Sequence, residues 1–295
     1  MSLSVHPLHL LLFVFVMVIW GLNFVAAKIG LAQLPPLLLM TLRFGLFALL
    51  AGPFVKWPRD RWRPILAISF TLGFLHFALM FTGLAGIDAA TAAIAIQLQV
   101  AFAALLAAIF FNDRIGWRRA VGLGISFLGV ALIAGEPRFQ GNYLALGLVI
   151  SASFVWSVAN IQIKKLGTID GLTLNAWVAI FATPQLFLAS LVLEDGQMAA
   201  LAAADWQAYA SILYQVVLVL GVGYGIWYWL LRQYDVNQAM PFTLLVPVIG
   251  VAAGVFGLGE ALTPYLIVGG LLTVCGVTII VLRRPRVAAP EAERL

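Results

Sequence analysis

Charged residues are scarce in this sequence of 295 residues. Asp, Glu, Lys and Arg together make up 10% of it, whereas apolar residues make up 63%, and the mean hydropathy is +1.04. A soluble domain carries about 25% charged and roughly 45–50% apolar residues. The composition therefore excludes a water-soluble fold and indicates a protein that lies in a lipid bilayer.

Cysteine and catalytic motifs are also rare or missing. The one cysteine, Cys275, excludes an intrachain disulfide and a thiolate metal site, and we expect it to pack as a small apolar side chain. The sequence has no HExxH, no Gly-x-Ser-x-Gly and no phosphate-cradling loop. An intramembrane enzyme is therefore disfavoured, and neither a metal nor another cofactor is predicted.

Long apolar runs account for most of the chain. Because a helix needs about 20 apolar residues to cross a bilayer, ten runs qualify as spans. They cover residues 8–27, 35–55, 64–85, 89–111, 117–135, 142–163, 172–193, 208–231, 237–257 and 263–282. The predicted fold is an all-α integral membrane protein with ten transmembrane helices. A cleaved signal peptide over the first run is disfavoured, because no basic leader precedes that run.

Basic residues concentrate on one side of this predicted topology. With the N-terminus inside, the inner segments carry Lys56, Arg59, Arg61, Arg63, Arg114, Arg118, Arg119, Lys164, Lys165, Arg232, Arg283, Arg284 and Arg286. The outer side has Lys28, Arg138 and an acidic loop over 194–205. This asymmetry predicts that both termini are cytoplasmic. The net charge of +5 would then face an anionic membrane surface, so membrane lipid is a predicted partner and nucleic acid is not.

Matching residues recur at a constant separation along the chain. The separation is 147 residues for the pairs Asp88 and Asp235, Asp113 and Glu260, Gly122 and Gly269, and Gly129 and Gly276. It is 136 residues for the pairs Trp20 and Trp156, and Lys28 and Lys164, because the second half has a longer loop near 194–205. The predicted organisation is a five-span repeat over 1–136, a second over 137–284 and a cytoplasmic tail over 285–295. An odd number of spans inverts the second copy, and inverted repeats are typical of alternating-access transporters.

Several motifs resemble those of a known transporter family. They are the runs WGLNFVAAKIG at 20–30, GYGIW at 223–227 and LLVPV at 244–248. With them the sequence resembles EamA-type exporters of the drug/metabolite transporter superfamily, from about Trp20 to Val281. The resemblance implies a bacterial inner-membrane protein that exports amino acids and related metabolites from the cytoplasm. Another small metabolite or a drug-like compound remains the alternative substrate.

The sharpest candidate site residues are repeated in spans 1 and 6. Trp20 and Asn23 share a face of span 1, and Trp156 and Asn160 share the matching face of span 6, at about 100° per residue. An amide and an indole suit the charged ends of a zwitterion. Packing between helices is the alternative role for these residues. For the lysines near the same span ends, snorkelling to the membrane surface is favoured.

Further side chains are predicted to reach the same cavity, namely His76, Gln99, Tyr224, Trp227 and Tyr228. The three aromatic ones could instead form core or a lipid-interface belt, because they make a stripe on one face of span 8. His76 could be a satisfied structural histidine, or a contact for substrate or a proton. Arg43 in span 2 is interpreted as structural, with a role in an outer gate as the alternative.

Glycine and proline mark the predicted hinges, which are Gly73, Gly83, Gly221, Gly225, Pro241 and Pro247. Spans 8 and 9 are the predicted moving parts, with spans 3 and 4 as their repeat counterparts. No Asp or Glu lies deep in a predicted span, so we expect facilitated transport rather than proton antiport. Proton coupling through His76 is the alternative. No obligatory protein partner is predicted.

Overall fold

Ten long helices make up the bundle. The computed structural model describes residues 6–111, 116–137, 142–234 and 236–282. The helices are α1 (Pro7–Leu31), α2 (Pro36–Phe54), α3 (Trp62–Gly86), α4 (Ala89–Phe110), α5 (Trp117–Ala134), α6 (Tyr143–Leu166), α7 (Gly171–Leu193), α8 (Trp206–Gln233), α9 (Met240–Leu258) and α10 (Pro264–Val281). Each is long and apolar enough to cross a membrane. The prediction of a ten-span, multi-pass membrane protein is confirmed.

The loops gather at two ends of the bundle. At one end, which we call the acidic end, lie the loops after α1, α3, α5, α7 and α9; the loop after α7 contains a short helix, Gln197–Ala203. At the other, the basic end, the loops after α2 and α6 are joined by a hydrogen bond of 2.6 Å from Arg61 to the Thr168 carbonyl. The exposed Arg232 also pairs with Asp170 there at 3.1 Å. The two ends therefore differ in charge in the way that the sequence predicts.

The inverted repeat is visible in how α5 packs on α10. A Cβ atom added to Gly122 would lie 2.8 Å from the carbonyl oxygen of Gly276. Gly129 meets the carbonyl oxygen of Gly269 just as closely. Since Gly122 corresponds to Gly269 and Gly129 to Gly276, exchanging the repeats turns one contact into the other. Such reciprocal contacts are the signature of a two-fold interface.

Apart from the 3₁₀ turn Gly52–Phe54 that ends α2, four of the described helices depart from regular α-geometry, and they form two repeat-related pairs. α3 and α8 each contain a π-helical segment, Ser69–His76 and Tyr214–Gly223. α4 is interrupted between Ala95 and Leu98, and α9 begins with the 3₁₀ turn Met240–Leu244. A break inside a membrane is tolerated where other groups satisfy the freed backbone. These four helices are the ones that the sequence predicts to move.

Serines of α6 supply partners for the broken part of α4. The Ser157 hydroxyl donates to the Gln99 carbonyl at 2.8 Å. The Ser153 hydroxyl lies 3.4 Å from the carbonyl oxygens of Ala95 and Ile96. Both serines are buried. The interruption of α4 is therefore held by side chains of the other repeat.

The predicted hinge prolines of α9 lie near the starts of its two segments. Pro241 lies in the opening 3₁₀ turn, and Pro247 is the third residue of the α-helical segment Leu245–Leu258. The first N–H groups of a helix have no partner within that helix, so a proline costs little there. Pro184, in contrast, lies inside the helix α7. The two prolines of α9 thus mark where its segments begin.

The predicted hinge glycines fall into two groups. Gly73 in α3 packs tightly on α7, and Gly83 packs tightly on α6, where a Cβ would lie 2.6 Å from the Ala145 carbonyl oxygen. In α8, a Cβ on Gly225 would face open space, and one on Gly221 would meet only the Val216 carbonyl oxygen of the same helix at 3.6 Å, so neither glycine packs tightly against another helix. The reason is the π-helical segment, which ends between them and changes the face that α8 presents. Their role as hinges stays a prediction.

α4 and α9 meet in their acidic-end halves. A Cβ on Gly250 would lie 2.7 Å from the Ala93 Cβ, and one on Gly254 would lie 3.1 Å from the Ala90 nitrogen. The main packing of α9 on α4 involves only the segment Ala89–Ala95. The segment Leu98–Phe111, beyond the interruption, makes no comparable packing contact with α9. The bundle is therefore closed between α4 and α9 at the acidic end.

Candidate functional site

An aromatic cluster joins α1 to α8 in the middle of the bundle. The Trp20 ring lies 5.1 Å from the Tyr224 ring and 5.3 Å from the Trp227 ring, measured between centroids. The Tyr228 ring follows at 5.8 Å from Tyr224, and its hydroxyl accepts a hydrogen bond of 3.2 Å from the Asn175 amide of α7. The structure thus brings four of the predicted site residues together. Trp227 is the most enclosed of them, since it also packs against Phe13.

Two polar atoms at this cluster have no hydrogen-bond partner within the described ranges. They are the indole Nε1 of Trp20 and the amide oxygen Oδ1 of Asn23, and both are shielded from solvent. A buried polar atom without a partner costs free energy, about 1–3 kcal/mol in measured cases. In a helix bundle that binds small molecules, such atoms are candidates for contacts with the ligand. Trp20 offers a donor and Asn23 an acceptor.

The repeat partners of these residues are arranged differently. The Asn160 amide nitrogen donates to the carbonyl of Trp156, one turn earlier in α6, at 3.0 Å. The ring contacts of Trp20 are with α8 and do not include Trp156. The two tryptophans therefore do not form one continuous aromatic wall in this conformation. The role of Trp156 and Asn160 in binding stays a prediction.

His76 has a backbone partner in the other repeat. Its Nδ1 lies 2.9 Å from the carbonyl oxygen of Ala152 in α6, and the ring is buried. Because a carbonyl only accepts hydrogen bonds, Nδ1 carries the proton. This bond fits the structural interpretation of His76. Of the two glutamines near the interruption in α4, Gln99 is partly exposed and Gln97 is buried, and the binding role of Gln99 stays a prediction.

Arg43 and Gln215 form a buried polar pair that the sequence does not predict as a binding site. The Arg43 Nη1 donates to the Gln215 Oε1 at 3.3 Å, and both residues are almost fully buried. The guanidinium also lies 4.9 Å from the centroid of the Phe77 ring. Within the described part of the chain no carboxylate pairs with Arg43. Arg43 could be singled out from the sequence because it is a charged residue inside a span. Gln215 could not, because it lies in an apolar run where no spacing relates it to another polar residue.

Snorkelling to the membrane surface is predicted for Lys28, but the structure shows this side chain bonded to another helix. Its ammonium donates to the carbonyl oxygens of Leu84 and Ile87 at 3.1 and 3.0 Å. These carbonyls end α3, where a helix has unsatisfied acceptors and partial negative charge. Lys28 therefore ties α1 to α3 at the acidic end.

Carboxylates close the acidic end by accepting from helix N-termini. Glu260 accepts from the N–H groups of Ala89 and Ala90 at 2.6 and 2.8 Å, which joins the α9–α10 loop to α4. Glu194 accepts from the first N–H groups of α2 at 2.7 and 3.0 Å. Anionic groups are stabilised at helix N-termini, where partial positive charge accumulates. Asp113, the repeat partner of Glu260, lies outside the described residues.

A smaller contact joins two loops of the same end. The Gln33 amide donates to the Asp205 carboxylate at 2.8 Å, and the Asp205 N–H donates back to the Gln33 oxygen at 2.8 Å. The hydrogen bond from Gln33 lowers the pKa of Asp205 below its usual value, and backbone N–H groups at the start of α8 add to this. The carboxylate therefore stays charged in neutral solution.

Cys275 is predicted to pack as a small apolar side chain, but the structure leaves it outside the helix contacts. It lies exposed on the outer surface of α10, where the bilayer would cover it. The prediction of a buried packing role is wrong because the contact face of α10 is formed by its glycines instead. Replacing this cysteine should therefore leave the core intact, which frees the chain for labelling experiments.

Both halves of the chain match the model of a known transporter family. The model of the EamA-like transporter family matches residues 8–135 and again residues 143–282. A "Probable amino-acid metabolite efflux pump" of Salmonella typhimurium is 35% identical over 90% of this chain and 91% of its own. The protein of the same description from Escherichia coli is 34% identical over the same shares.

Two more distant similarities extend the comparison. A "Probable terminal-alkyne amino-acid exporter" of Streptantibioticus cattleyicolor is 28% identical over 90% of this chain and 91% of its own. A solved crystal structure matches 93% of this chain and 96% of its own with a TM-score of 0.61 at 16% identity. At that identity the similarity shows a shared fold alone.

Proposed function

Because the chain belongs to the EamA-like transporter family, we propose that it exports amino acids and related metabolites from the cytoplasm. The proposed site is the aromatic and polar cluster around Trp20, Asn23 and Tyr224. The observation that carries this proposal is the pair of unsatisfied polar atoms, Trp20 Nε1 and Asn23 Oδ1, beside the irregular helix α8. The names of the relatives support amino acids as the substrate class.

The proposed mechanism is alternating access between two inverted repeats, 1–136 and 137–284. Transport would require α4 and α9 to separate at the acidic end and approach each other at the basic end. If the basic end faces the cytoplasm, as the positive-inside rule favours, the described conformation receives substrate from inside. We place the protein in the bacterial inner membrane, and we expect it to catalyse no chemical reaction.

The proposal is tested by transport into proteoliposomes. We expect purified protein to take up labelled amino acids, with L-phenylalanine, L-leucine and L-cysteine as the first panel. Empty liposomes are the control for leakage. Saturable uptake of at least one amino acid supports the proposal, while uptake of none of them contradicts it.

The same vesicles test energy coupling. We expect equal initial rates with and without an imposed pH difference, because no described Asp or Glu lies deep in a span. His76→Gln, which keeps a donor for the Ala152 carbonyl, should transport as wild type does. Uptake that requires a pH difference in the wild type, and loses this requirement in His76→Gln, would identify His76 as the proton carrier.

Membrane orientation is tested by labelling single cysteines. In a Cys275→Ala background, Met198→Cys in the acidic-end loop should react with an impermeant thiol reagent added outside intact cells. Met198 suits this test because its side chain is 77% exposed. Lys56→Cys at the basic end should react only after the membrane is opened. The reverse pattern would invert the proposed topology.

A further inference from the structure

We propose that Arg43 and Gln215 bind the carboxylate of the transported substrate. This inference rests on the proposed function and specifies its substrate class as molecules with a free carboxylate, such as zwitterionic amino acids. Arg43 comes from the first repeat and Gln215 from the second. The site would therefore lie where the two repeats meet.

The surroundings of Arg43 leave its charge incompletely compensated. Its side chain is 2% exposed, and its Nε has no hydrogen-bond partner among the residues that the structure describes. The neighbouring groups are all neutral: the Gln215 oxygen, the Met40 sulfur at 3.9 Å from Nη1, and three aromatic rings at 4.9 to 5.7 Å, those of Phe44, Phe77 and Phe81. Aromatic faces stabilise a cation, but they do not replace the hydrogen bonds that water gives a guanidinium. An apolar side chain would fill the same space without this cost, so a structural role alone explains the arginine poorly.

The unsatisfied donors around Arg43 suit a carboxylate. Besides Arg43 Nε, the amide Nε2 of Gln215 is buried and has no partner in the described part of the chain. A guanidinium presents its N–H groups in a planar fork that matches both oxygens of a carboxylate. A carboxylate held there would satisfy both donors and neutralise the buried charge.

The position of the pair relative to the aromatic cluster suits a zwitterion. Arg43 and Gln215 lie roughly 10 and 13 Å along their helices from the acidic end, at 1.5 Å per residue. Asn23 lies about 12 Å and Trp20 about 16 Å from the same end of α1. The Tyr224 ring, at 5.1 Å from the Trp20 ring between centroids, lies beside the same part of α1. A substrate with its carboxylate on Arg43 could thus direct its ammonium group toward the Asn23 oxygen and the aromatic rings.

The test compares each amino acid with its own carboxamide in proteoliposomes. The pairs are L-phenylalanine, L-leucine and L-cysteine, each against the corresponding amide. We expect wild-type protein to transport the carboxylate form at least about tenfold better, because the amide lacks the charge that pairs with Arg43. Arg43→Gln should remove this preference by lowering carboxylate transport while leaving amide transport within about twofold of wild type.

Further variants keep the test decisive if Arg43→Gln does not fold. Arg43→Lys keeps the charge and loses the fork, so we expect a raised KM for the carboxylate form and a smaller preference. Gln215→Leu should weaken the preference without removing it. Trp206→Ala, an exposed residue at the start of α8, is the matched control and should keep wild-type selectivity.

The outcomes separate this inference from the proposed function. If wild-type protein transports none of the amino acids, the proposed function fails and the carboxylate site fails with it. If it transports amino acids and their amides equally, or if folded Arg43 and Gln215 variants keep the wild-type preference, the carboxylate site alone is wrong.

Discussion

Replacing Gly129 with leucine is expected to remove folded protein from the membrane. A Cβ at this position would overlap the Gly269 carbonyl oxygen and lie 2.6 Å from the Thr273 nitrogen. Both obstacles are backbone atoms of α10, so α5 and α10 would have to move apart. Overpacking a core costs about 1–3 kcal/mol when side chains can adjust, and we expect more here because the backbone blocks adjustment. Fluorescence-detected size-exclusion chromatography measures the yield of folded protein.

The control for this prediction lies on the same helix. Gly124 has open space around it, so Gly124→Leu should leave the yield close to wild type. Gly269→Leu should reproduce the loss, since it is the repeat partner of Gly122 and faces Gly129 across the interface. Normal yields of Gly129→Leu and Gly269→Leu would show that α5 and α10 do not pack in this way.

Truncating the polar cluster is expected to impair transport strongly without reducing the amount of protein. Asn23→Ala removes an acceptor that has no partner within the described residues, and Trp20→Ala removes a donor and an aromatic face. Loss of one such contact with a charged or polar group costs about 1–3 kcal/mol, which corresponds to several-fold to roughly hundredfold weaker apparent affinity. The apparent KM and maximal rate of amino-acid uptake in proteoliposomes measure this effect.

The repeat partners provide the comparison. Asn160→Ala should also impair transport, but less than Asn23→Ala, because the Asn160 amide already bonds to its own helix. Trp206→Ala controls for the loss of a tryptophan from the protein surface. Wild-type affinity in both Asn23→Ala and Trp20→Ala would place the substrate elsewhere, with Trp156 the next residue to replace.

The sequence predicts the fold well because the spans are long apolar runs. A window of about 20 residues averages out local irregularities, so predicted and observed helices differ by only a few residues. The repeat was visible because glycines at a two-fold interface have to recur in both halves. Only a residue without a side chain allows the backbones of α5 and α10 to approach so closely. This explains why glycine occupies all four contact positions, Gly122, Gly129, Gly269 and Gly276.

The site was harder to predict, because helical periodicity fails where a helix is irregular. At 100° per residue the aromatic residues of α8 share a face, and the structure brings Tyr224 and Trp227 to Trp20, with Tyr228 next to Tyr224. Gln215 and Gly221 lie in the π-helical segment, where the ladder of hydrogen bonds shifts by one residue and the face changes. The partners of Lys28 and Glu260 lie on other helices, which no spacing within one segment can reveal.

The central claim is that the acidic end opens during transport. Spin labels at Ala85→Cys and Leu262→Cys, in a Cys275→Ala background, would flank the contact between Glu260 and α4, and both positions are exposed. Double electron–electron resonance in lipid nanodiscs measures the distance between them. We predict one short distance without substrate, and a second, longer distance whose population increases when a transported amino acid is added. A single distance that no transported amino acid changes would contradict alternating access at this end.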